Sequence, residues 1–235
     1  MAAHDDGALD DGALDDGALD DPVAFFGSIA NGPWADPGDA GNRLARAIVR
    51  LTNRALDVDA PQAEIEKLAG ELEAVTATIA ERRATRYRPQ DRPVGHKVRP
   101  NATGKHPLAG PVNPTAPPIV LRHEADRAYG DVTYDLRFEG LPGLVQGGFI
   151  AAAFDLILGQ AVALSGTGGM TGSLSVRYVS PTPLYEPLQY ASWFDRVEGR
   201  KTFAKGALTV AGTGRVCAEA EAVFIAPRTG PPAVE

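Results

Sequence analysis

The segment GLVQGGFIAAAFDLILG, residues 143–159, constrains the fold of this chain more than any other stretch of the sequence. Its only ionisable side chain is Asp155, which follows Phe154 and precedes Leu156, Ile157 and Leu158. Burying an unpaired carboxylate is costly. A segment of this composition is therefore expected to be buried over most of its surface, and its one carboxylate is expected to have a specific structural or functional role.

Apolar residues in this segment recur at helical spacing from Gln146 onward. One stripe carries the large side chains and consists of Ile150, Ala153, Phe154, Ile157, Leu158 and Ala161. The neighbouring face carries small residues and the carboxylate, and consists of Gly148, Ala151, Ala152, Asp155 and Gly159. The spacing predicts a helix whose bulky stripe packs on a sheet. The small face admits close approach of a second subunit or a ligand.

The glycine pair Gly147–Gly148 lies where this helix is predicted to begin. Backbone N–H groups at a helix start have no intrahelical acceptor, and the helix dipole there favours a developing negative charge. Together with Asp155 two turns later, this arrangement suits hydrolysis of an acyl group. The alternative is that the glycines only permit tight packing and that Asp155 pairs with an arginine. The chemistry of the segment leaves both interpretations open.

Downstream and upstream of the helix the pattern is that of strands. Alternating segments are GDVTYDLRFEG, GSLSVRYVS, LQYASWFDRV, KTFAKGALTV and RVCAEAEAVFI. In GSLSVRYVS, for example, Leu174, Val176 and Tyr178 share one face of the predicted strand. The sequence thus predicts an α+β domain with one central helix and an antiparallel sheet of about five strands.

Composition divides the rest of the chain into segments. Residues 1–40 contain the repeat DDGALDDGALDDGALDD, which has too few apolar residues to offset the entropy of ordering. Residues 41–85 are predicted to form a helical hairpin, and residues 86–118 a linker with eight prolines. Residues 119–227 are the predicted α+β domain, and residues 228–235 are a tail.

The predicted hairpin has two amphipathic helices joined by a short turn. The first apolar stripe consists of Leu44, Ile48, Leu51, Ala55 and Val58. The second consists of Ile65, Leu68, Leu72, Val75 and Ile79. Both have the three- and four-residue steps of one helix face. The expected role of this hairpin is packing or support of a dimer.

Charge and cysteine content restrict the classes of partner. The net charge is −7, but residues 1–40 hold ten Asp and no Lys or Arg, so the remainder carries 20 acidic and 23 basic residues. No dense basic patch with interleaved aromatics is present, which argues against a nucleic-acid partner. A single cysteine, Cys217, excludes a disulfide within the chain. No membrane span or secretory signal is recognised, and a cytoplasmic location is expected.

Several motifs in residues 119–226 occur together in a known order. QGGFIAAAFD places Gln146 and Asp155 nine residues apart, and MTGSLSVRYVSPTPL places Thr171 sixteen residues after Asp155. A GRKTFAKG hairpin follows. The ordered set resembles the hotdog-fold acyl-CoA thioesterases, specifically their phenylacetate-pathway-like branch. It covers a little under half of the chain.

The resemblance implies a hotdog fold, in which a sheet wraps around the central helix and two subunits share active sites as a homodimer or homotetramer. It implies hydrolysis of an acyl-CoA to a carboxylate and free coenzyme A, without a further cofactor. The backbone N–H of Gly147 would polarise the thioester carbonyl, and Asp155 would act as nucleophile or general base. Thr171 of the partner subunit would help to orient water or the carboxylate. Gln146 stands where the family usually has histidine, and it cannot titrate.

Further residues are candidates for binding the substrate. Gly148 and Ala151 lie on the small face of the helix, and Arg177, Arg200 and Lys201 are candidates for the phosphates of coenzyme A. Two other functions remain open. Beside acyl-CoA hydrolysis, the first alternative is a non-catalytic acyl-thioester-binding or structural hotdog dimer, and the second is a hotdog protein that acts on carrier-protein thioesters.

Overall fold

The structure, a computed structural model, describes residues 40–81 and 106–226. The acidic repeat, most of the proline-rich linker and the C-terminal tail lie outside the described residues. Their predicted boundaries therefore stay predictions.

Three helices, one short 3-10 helix and six strands make up the described chain. The helices are α1 (Ala40–Leu56), α2 (Gln62–Glu81), α3 (Gly147–Leu164) and the 3-10 helix Leu136–Phe138. The strands are β1 (Val120–Glu124), β2 (Arg127–Val132), β3 (Met170–Tyr178), β4 (Leu188–Glu198), β5 (Lys201–Val210) and β6 (Val216–Ile225). The strands form one sheet in the order β1-β2-β4-β5-β6-β3, and every neighbouring pair is antiparallel. The sheet packs on α3, and this arrangement confirms the predicted α+β hotdog fold.

The buried helix α3 is the centre of the core. All residues from Leu156 to Ala163 are buried, and α3 contacts β2, β4, β5, β6 and β3. Ser192 on β4 donates its hydroxyl to the carbonyl of Ile157 at 2.7 Å, which ties the helix to the middle of the sheet. By length and composition α3 is apolar enough to cross a membrane, but most of it is buried inside the domain.

The segment that follows β2 differs from the predicted pattern. The predicted strand GDVTYDLRFEG ends at Val132, because Asp135 starts the 3-10 helix by accepting a hydrogen bond from the N–H of Arg137 at 3.1 Å. The Arg137 guanidinium also donates to the carbonyl of Pro114 at 2.6 Å. This bond anchors part of the predicted linker on the domain.

The described part of the linker belongs to the packed domain. Ala109 and Ala116 are buried, and Leu108 packs against the core. The packed domain therefore includes residues upstream of the predicted boundary at Ile119. The prolines prevent regular structure in this segment without preventing its burial.

Both helices of the predicted hairpin are present, and a short turn joins them. The helix α1 packs near the 3-10 helix, whereas α2 makes no packed interface with any other described helix or strand. The two helices thus do not cover each other's apolar stripes.

Truncating a core side chain of α3 tests this packing. Leu158 is 0% exposed and Leu141 is 71% exposed, so the same Leu→Ala change samples both environments. We expect Leu158→Ala to lower the free energy of unfolding by about 2–5 kcal/mol, because it opens a cavity in the core. Leu141→Ala should change it by no more than about 0.5 kcal/mol. Urea denaturation of the two variants measures both values, and equal losses would contradict the described core.

Candidate active site

Gln146 caps the start of α3. Its backbone is extended (φ −66°, ψ 130°), and its side-chain Oε1 accepts hydrogen bonds from the N–H of Gly148 at 2.6 Å and of Phe149 at 3.3 Å. Short polar side chains usually provide this cap. The prediction that both glycines offer free N–H groups is therefore wrong for Gly148, whose N–H is already bound by the cap.

The N–H of Gly147 is different. No acceptor among the described residues contacts it, although its own carbonyl accepts a hydrogen bond from the Tyr178 hydroxyl at 2.8 Å. A Cβ at Gly147 would lie 3.1 Å from that hydroxyl oxygen, so glycine lets Tyr178 approach the helix start closely. The sequence predicts Tyr178 only as a member of a strand face. A strand pattern does not show which helix residue a side chain contacts, so the contact with Gly147 is visible only in the structure.

An open groove of about 690 Å³ adjoins this helix start. Its lining includes Leu141, Val145, Gly147, Ile150, Tyr178 and Pro181. The groove is mostly apolar at this end of the helix, while the free N–H of Gly147 supplies a hydrogen-bond donor in its wall. An acyl chain with a polar carbonyl is the kind of group that such a wall suits.

Asp155 and Thr171 meet within one chain. The hydroxyl of Thr171 donates to Oδ1 of Asp155 at 2.7 Å, and Asp155 is half-buried. The resemblance implies that Thr171 reaches Asp155 from the partner subunit. In the structure, Thr171 contacts Asp155 of its own chain, which corrects this expectation. The second carboxylate oxygen of Asp155 has no hydrogen bond from the described residues.

A β-bulge turns Thr171 toward the helix. Thr171 pairs with Phe224 and Ser173 pairs with Val223, so Gly172 is an extra residue in β3. Simple alternation would place Thr171 on the same face as Ser173 and away from Leu174. A bulge shifts this alternation by one residue. Thr171 consequently faces α3, as do Leu174 and Val176, which pack against the core.

His106 lies close to Asp155, and sequence reasoning missed it because it falls in the proline-rich segment. Its Nδ1 accepts a hydrogen bond from the N–H of Leu108 at 3.2 Å, which assigns the proton of the neutral ring to Nε2. Burial lowers the pKa of His106, and the negative charge of Asp155 opposes this effect without overcoming it. A neutral imidazole therefore accompanies the carboxylate at neutral pH.

The two chemical groups of α3 are separated along the helix. Gly147 and Asp155 are eight residues apart, which is about 12 Å at the α-helical rise of 1.5 Å per residue. A single reacting carbonyl needs both its donor and its base within about 3 Å. The N–H of Gly147 and the carboxylate of Asp155 in one chain therefore cannot both reach one carbonyl, and we call their surroundings the two half-sites.

The predicted substrate-binding residues are spread over the domain. Ala151 is half-buried on α3, between the two half-sites. Arg177 is exposed and forms an ion pair with Glu219, and Arg200 donates to the carbonyl of Ala226 at 2.7 Å. Lys201 is exposed and makes no ion pair with a described residue. Arg200 and Lys201 are neighbours in the sequence, and the structure leaves Arg177 near the other end of β6, about six strand residues away.

No group of three His, Cys, Asp or Glu side chains within residues 40–81 and 106–226 is placed to hold a metal ion. The polar groups close to Gly147 and Asp155 are the backbone N–H, the Tyr178 hydroxyl, the carboxylate with its threonine, and the His106 imidazole. These groups are suited to acid–base chemistry and to stabilising an oxyanion.

Comparison with solved structures decides the family. A crystal structure of a thioesterase superfamily protein is 34% identical to this chain, superposes with a TM-score of 0.69, and covers 80% of this chain and 96% of that one. The chain belongs to the thioesterase superfamily. The resemblance to the hotdog-fold thioesterases found in the sequence is confirmed at this level. No protein-family model matches the chain.

Curated relatives agree over a shorter stretch. The acyl-coenzyme A thioesterase THEM4 of Mus musculus is 33% identical over 90 residues, which are 38% of this chain and 39% of the mouse protein. THEM4 of Bos taurus is 35% identical over 89 residues, or 37% of this chain and 35% of the bovine protein. The chain thus matches less than half the length of these curated relatives.

The titration of His106 tests the geometry around Asp155. We expect its pKa to lie below the ordinary value of 6.5, because burial disfavours the charged ring. Asp155→Asn removes the charge that favours protonation, so it should lower the pKa of His106 further. Proton–carbon NMR of the histidine ring measures this, with His106→Gln to assign the signal. Asp126→Asn, on the exposed β1–β2 turn, is the control and should leave the pKa unchanged.

Proposed function

We propose that this chain is a thioester hydrolase that converts an acyl-CoA to a carboxylate and free coenzyme A. Its membership of the thioesterase superfamily supports this activity, as does its similarity to proteins named acyl-coenzyme A thioesterase. The observation that carries the proposal is the unoccupied N–H of Gly147 on the same helix as the Asp155–Thr171 pair.

A second copy of the chain completes each active site. Since the half-sites are about 12 Å apart along α3, Gly147 of one chain acts with Asp155 of its partner. Two α3 helices that run antiparallel across a two-fold axis bring these groups together twice, which gives two equivalent sites per dimer. The partly exposed small residues Gly148, Ala151 and Ala152 permit the approach.

The exposed edge of the sheet supports this dimer. The strand β3 is the last strand of the sheet and is largely exposed over its length. An edge strand of this kind has unpaired backbone groups that another strand can pair with. Because β3 also carries Thr171 and Tyr178, a partner at this edge lies next to both half-sites. The position of β3 at the edge of the sheet is thus compatible with a site that two copies of the chain share.

Hydrolysis proceeds by attack of water on the thioester carbonyl carbon. Asp155 accepts a proton from this water through its free carboxylate oxygen, while the hydroxyl of Thr171 holds the other oxygen. The carbonyl oxygen becomes negatively charged and accepts a hydrogen bond from the N–H of Gly147. The carbon–sulfur bond then breaks, coenzyme A leaves as a thiolate that takes up a proton, and the acid product ionises.

Gln146 and His106 have supporting roles in this scheme. Gln146 stands at the usual histidine position and stabilises the helix start as a cap, so it keeps Gly147 in place without titrating. A neutral His106 places no positive charge beside Asp155 that would weaken it as a base. Arg200 and Lys201, which lie near the Thr171 end of the sheet, are available for the phosphates of coenzyme A.

Removing either reacting group tests the chemistry. Asp155→Asn keeps the size of the side chain but removes the base, and should lower kcat by about 10²–10⁴-fold. Gly147→Pro removes the N–H and adds ring carbons beside Tyr178, and it should lower kcat by about 10²–10³-fold. The extended Gln146 accepts a following proline, which is also tolerated in the first helical turn. A thiol-reactive dye with a panel of acyl-CoAs measures the rates.

The matched controls separate chemistry from packing. Gly147→Ala adds the same Cβ beside Tyr178 but keeps the N–H, so it should retain much more activity than Gly147→Pro. Asp126→Asn removes an exposed carboxylate far from the site and should behave as wild type. Wild-type protein that binds acyl-CoA without hydrolysing any member of the panel would instead support the non-catalytic alternative.

Mixing the two inactive variants tests whether the site is shared. A mixed dimer of Gly147→Pro and Asp155→Asn chains has one site with both wild-type groups if the site is shared between chains. Co-refolding equal amounts should then restore about a quarter of the wild-type rate, since half of the dimers are mixed and each has one intact site. A mixture as inactive as its components would show that both groups of a site come from one chain.

A further inference from the structure

The helix α1 packs on the domain with its less apolar side. Asn42 and Ala45 are buried toward the 3-10 helix, while Leu44 and Leu51 on the apolar stripe are 51% and 43% exposed. An amphipathic helix normally buries its apolar stripe, since that burial supplies most of its stability in a protein. Most of the α1 stripe therefore faces away from the domain, with Ile48 half-buried at its margin, and the exposed part needs a different partner.

The helix α2 has no partner in its own chain among the described residues. Its apolar stripe is exposed throughout and consists of Ile65, Leu68, Leu72, Val75 and Ile79. Contiguous apolar surface of this kind on a soluble chain marks an interaction site. An isolated twenty-residue helix is only marginally stable in water, so α2 needs packing as much as α1 does.

The two stripes carry opposite charges along their edges. At 100° per residue, Arg43, Arg50 and Arg54 lie along one edge of the α1 stripe. Glu64 and Glu71 lie along the corresponding edge of the α2 stripe, and Lys67, at the outer side of this edge, pairs with Glu71 at 4.0 Å. The α2 edge thus stays net negative against the arginines. Corresponding edges face each other when two helices run antiparallel. The stripes of α1 and α2 are thus complementary in both charge and apolarity.

We propose that the α1–α2 pair is a docking surface for the α1–α2 pair of a second copy of this chain. The stripe of α1 in each copy packs antiparallel on the stripe of α2 in the other, with the arginine edge of one against the glutamate edge of the other. The contact is self-complementary, so a two-fold axis satisfies both stripes of both chains at once. The resulting four-helix cluster is separate from the half-sites on α3.

A second copy accounts for the exposed stripes better than closure within one chain. The short turn between the helices would allow a closed hairpin, but the two helices do not pack on each other in this structure. An open hairpin with complementary halves is the arrangement that exchanges between identical subunits. Both stripes are then covered without moving α1 from the 3-10 helix.

Cysteine cross-linking with matched and mismatched charges tests the proposal. Leu51→Cys and Leu72→Cys, each near the middle of a stripe, are placed in full-length chains with different tags, and the chains are co-expressed and oxidised. We expect a disulfide-linked mixed dimer. Reversing the α1 edge of the Leu51→Cys chain (Arg43→Glu, Arg50→Glu and Arg54→Glu) should lower its yield roughly threefold to tenfold at low salt.

Restoring opposite charges on the two stripe edges is the decisive test of the proposed contact. Adding Glu64→Lys and Glu71→Lys to the Leu72→Cys chain makes the cross-linked edges opposite in charge again, so the yield of mixed dimer should recover. Circular dichroism of each variant checks that the helices and sheet are kept, and wild-type chains control for the buried Cys217.

Three results would overturn the proposal. The first is the absence of a mixed cross-link, and the second is a cross-linking yield that does not respond to charge. The third is a double variant, Leu51→Cys with Leu72→Cys, that closes within single chains while separate single variants form no mixed dimer. That last result would show a closed hairpin. The outcome does not depend on hydrolysis, so failure here and failure of the proposed activity are distinguishable.

Discussion

The burial of α3 is the constraint on which the rest of this structure depends. A helix with one ionisable residue in eighteen must be covered on nearly every side. The sheet does this by packing β2, β4, β5 and β6 on the helix, and the Ser192 hydroxyl fixes the helix against the sheet by binding the Ile157 carbonyl. Burial is complete from Leu156 to Ala163, whereas the part from Gly147 to Asp155 stays partly open. The N–H of Gly147 and the carboxylate of Asp155 both lie in this partly open part.

The geometry of a straight helix then determines how that chemistry is divided. The N–H of Gly147 and the carboxylate of Asp155 lie on one helix at a fixed separation, which is too great for both to reach one thioester carbonyl. The proposed two-fold arrangement of two chains follows from this separation, since it is the simplest one that pairs each group with its counterpart. The bulge at Gly172 and the hydroxyl of Tyr178 lie at opposite ends of β3. The bulge therefore acts on the surroundings of Asp155, and the Tyr178 hydroxyl on those of Gly147.

Gln146 acts as a helix cap and determines which backbone N–H groups at the helix start stay accessible. An amide oxygen binds the N–H groups of Gly148 and Phe149, and this leaves Gly147 as the one glycine of the pair whose N–H is free among the described residues. Two imidazoles approach this helix from upstream in the chain, and neither lies at the glycines: His123 hydrogen-bonds to Gln160 at 3.0 Å, and His106 lies near Asp155. The His106 ring is thus associated with Asp155 and not with Gly147.

The sequence by itself determined the elements that depend on local pattern. The 3–4 spacing located α3, alternation located most strands, and the Gly147–Asp155 spacing located the two polar groups of the helix. It could not determine contacts between distant segments, because those depend on register and on packing. The structure alone decided that the Gly172 bulge turns Thr171 toward Asp155, that Tyr178 reaches Gly147, and that His106 belongs to the domain. It also decided that α1 turns its apolar stripe outward, since the same periodicity is compatible with a stripe that faces the core or a partner.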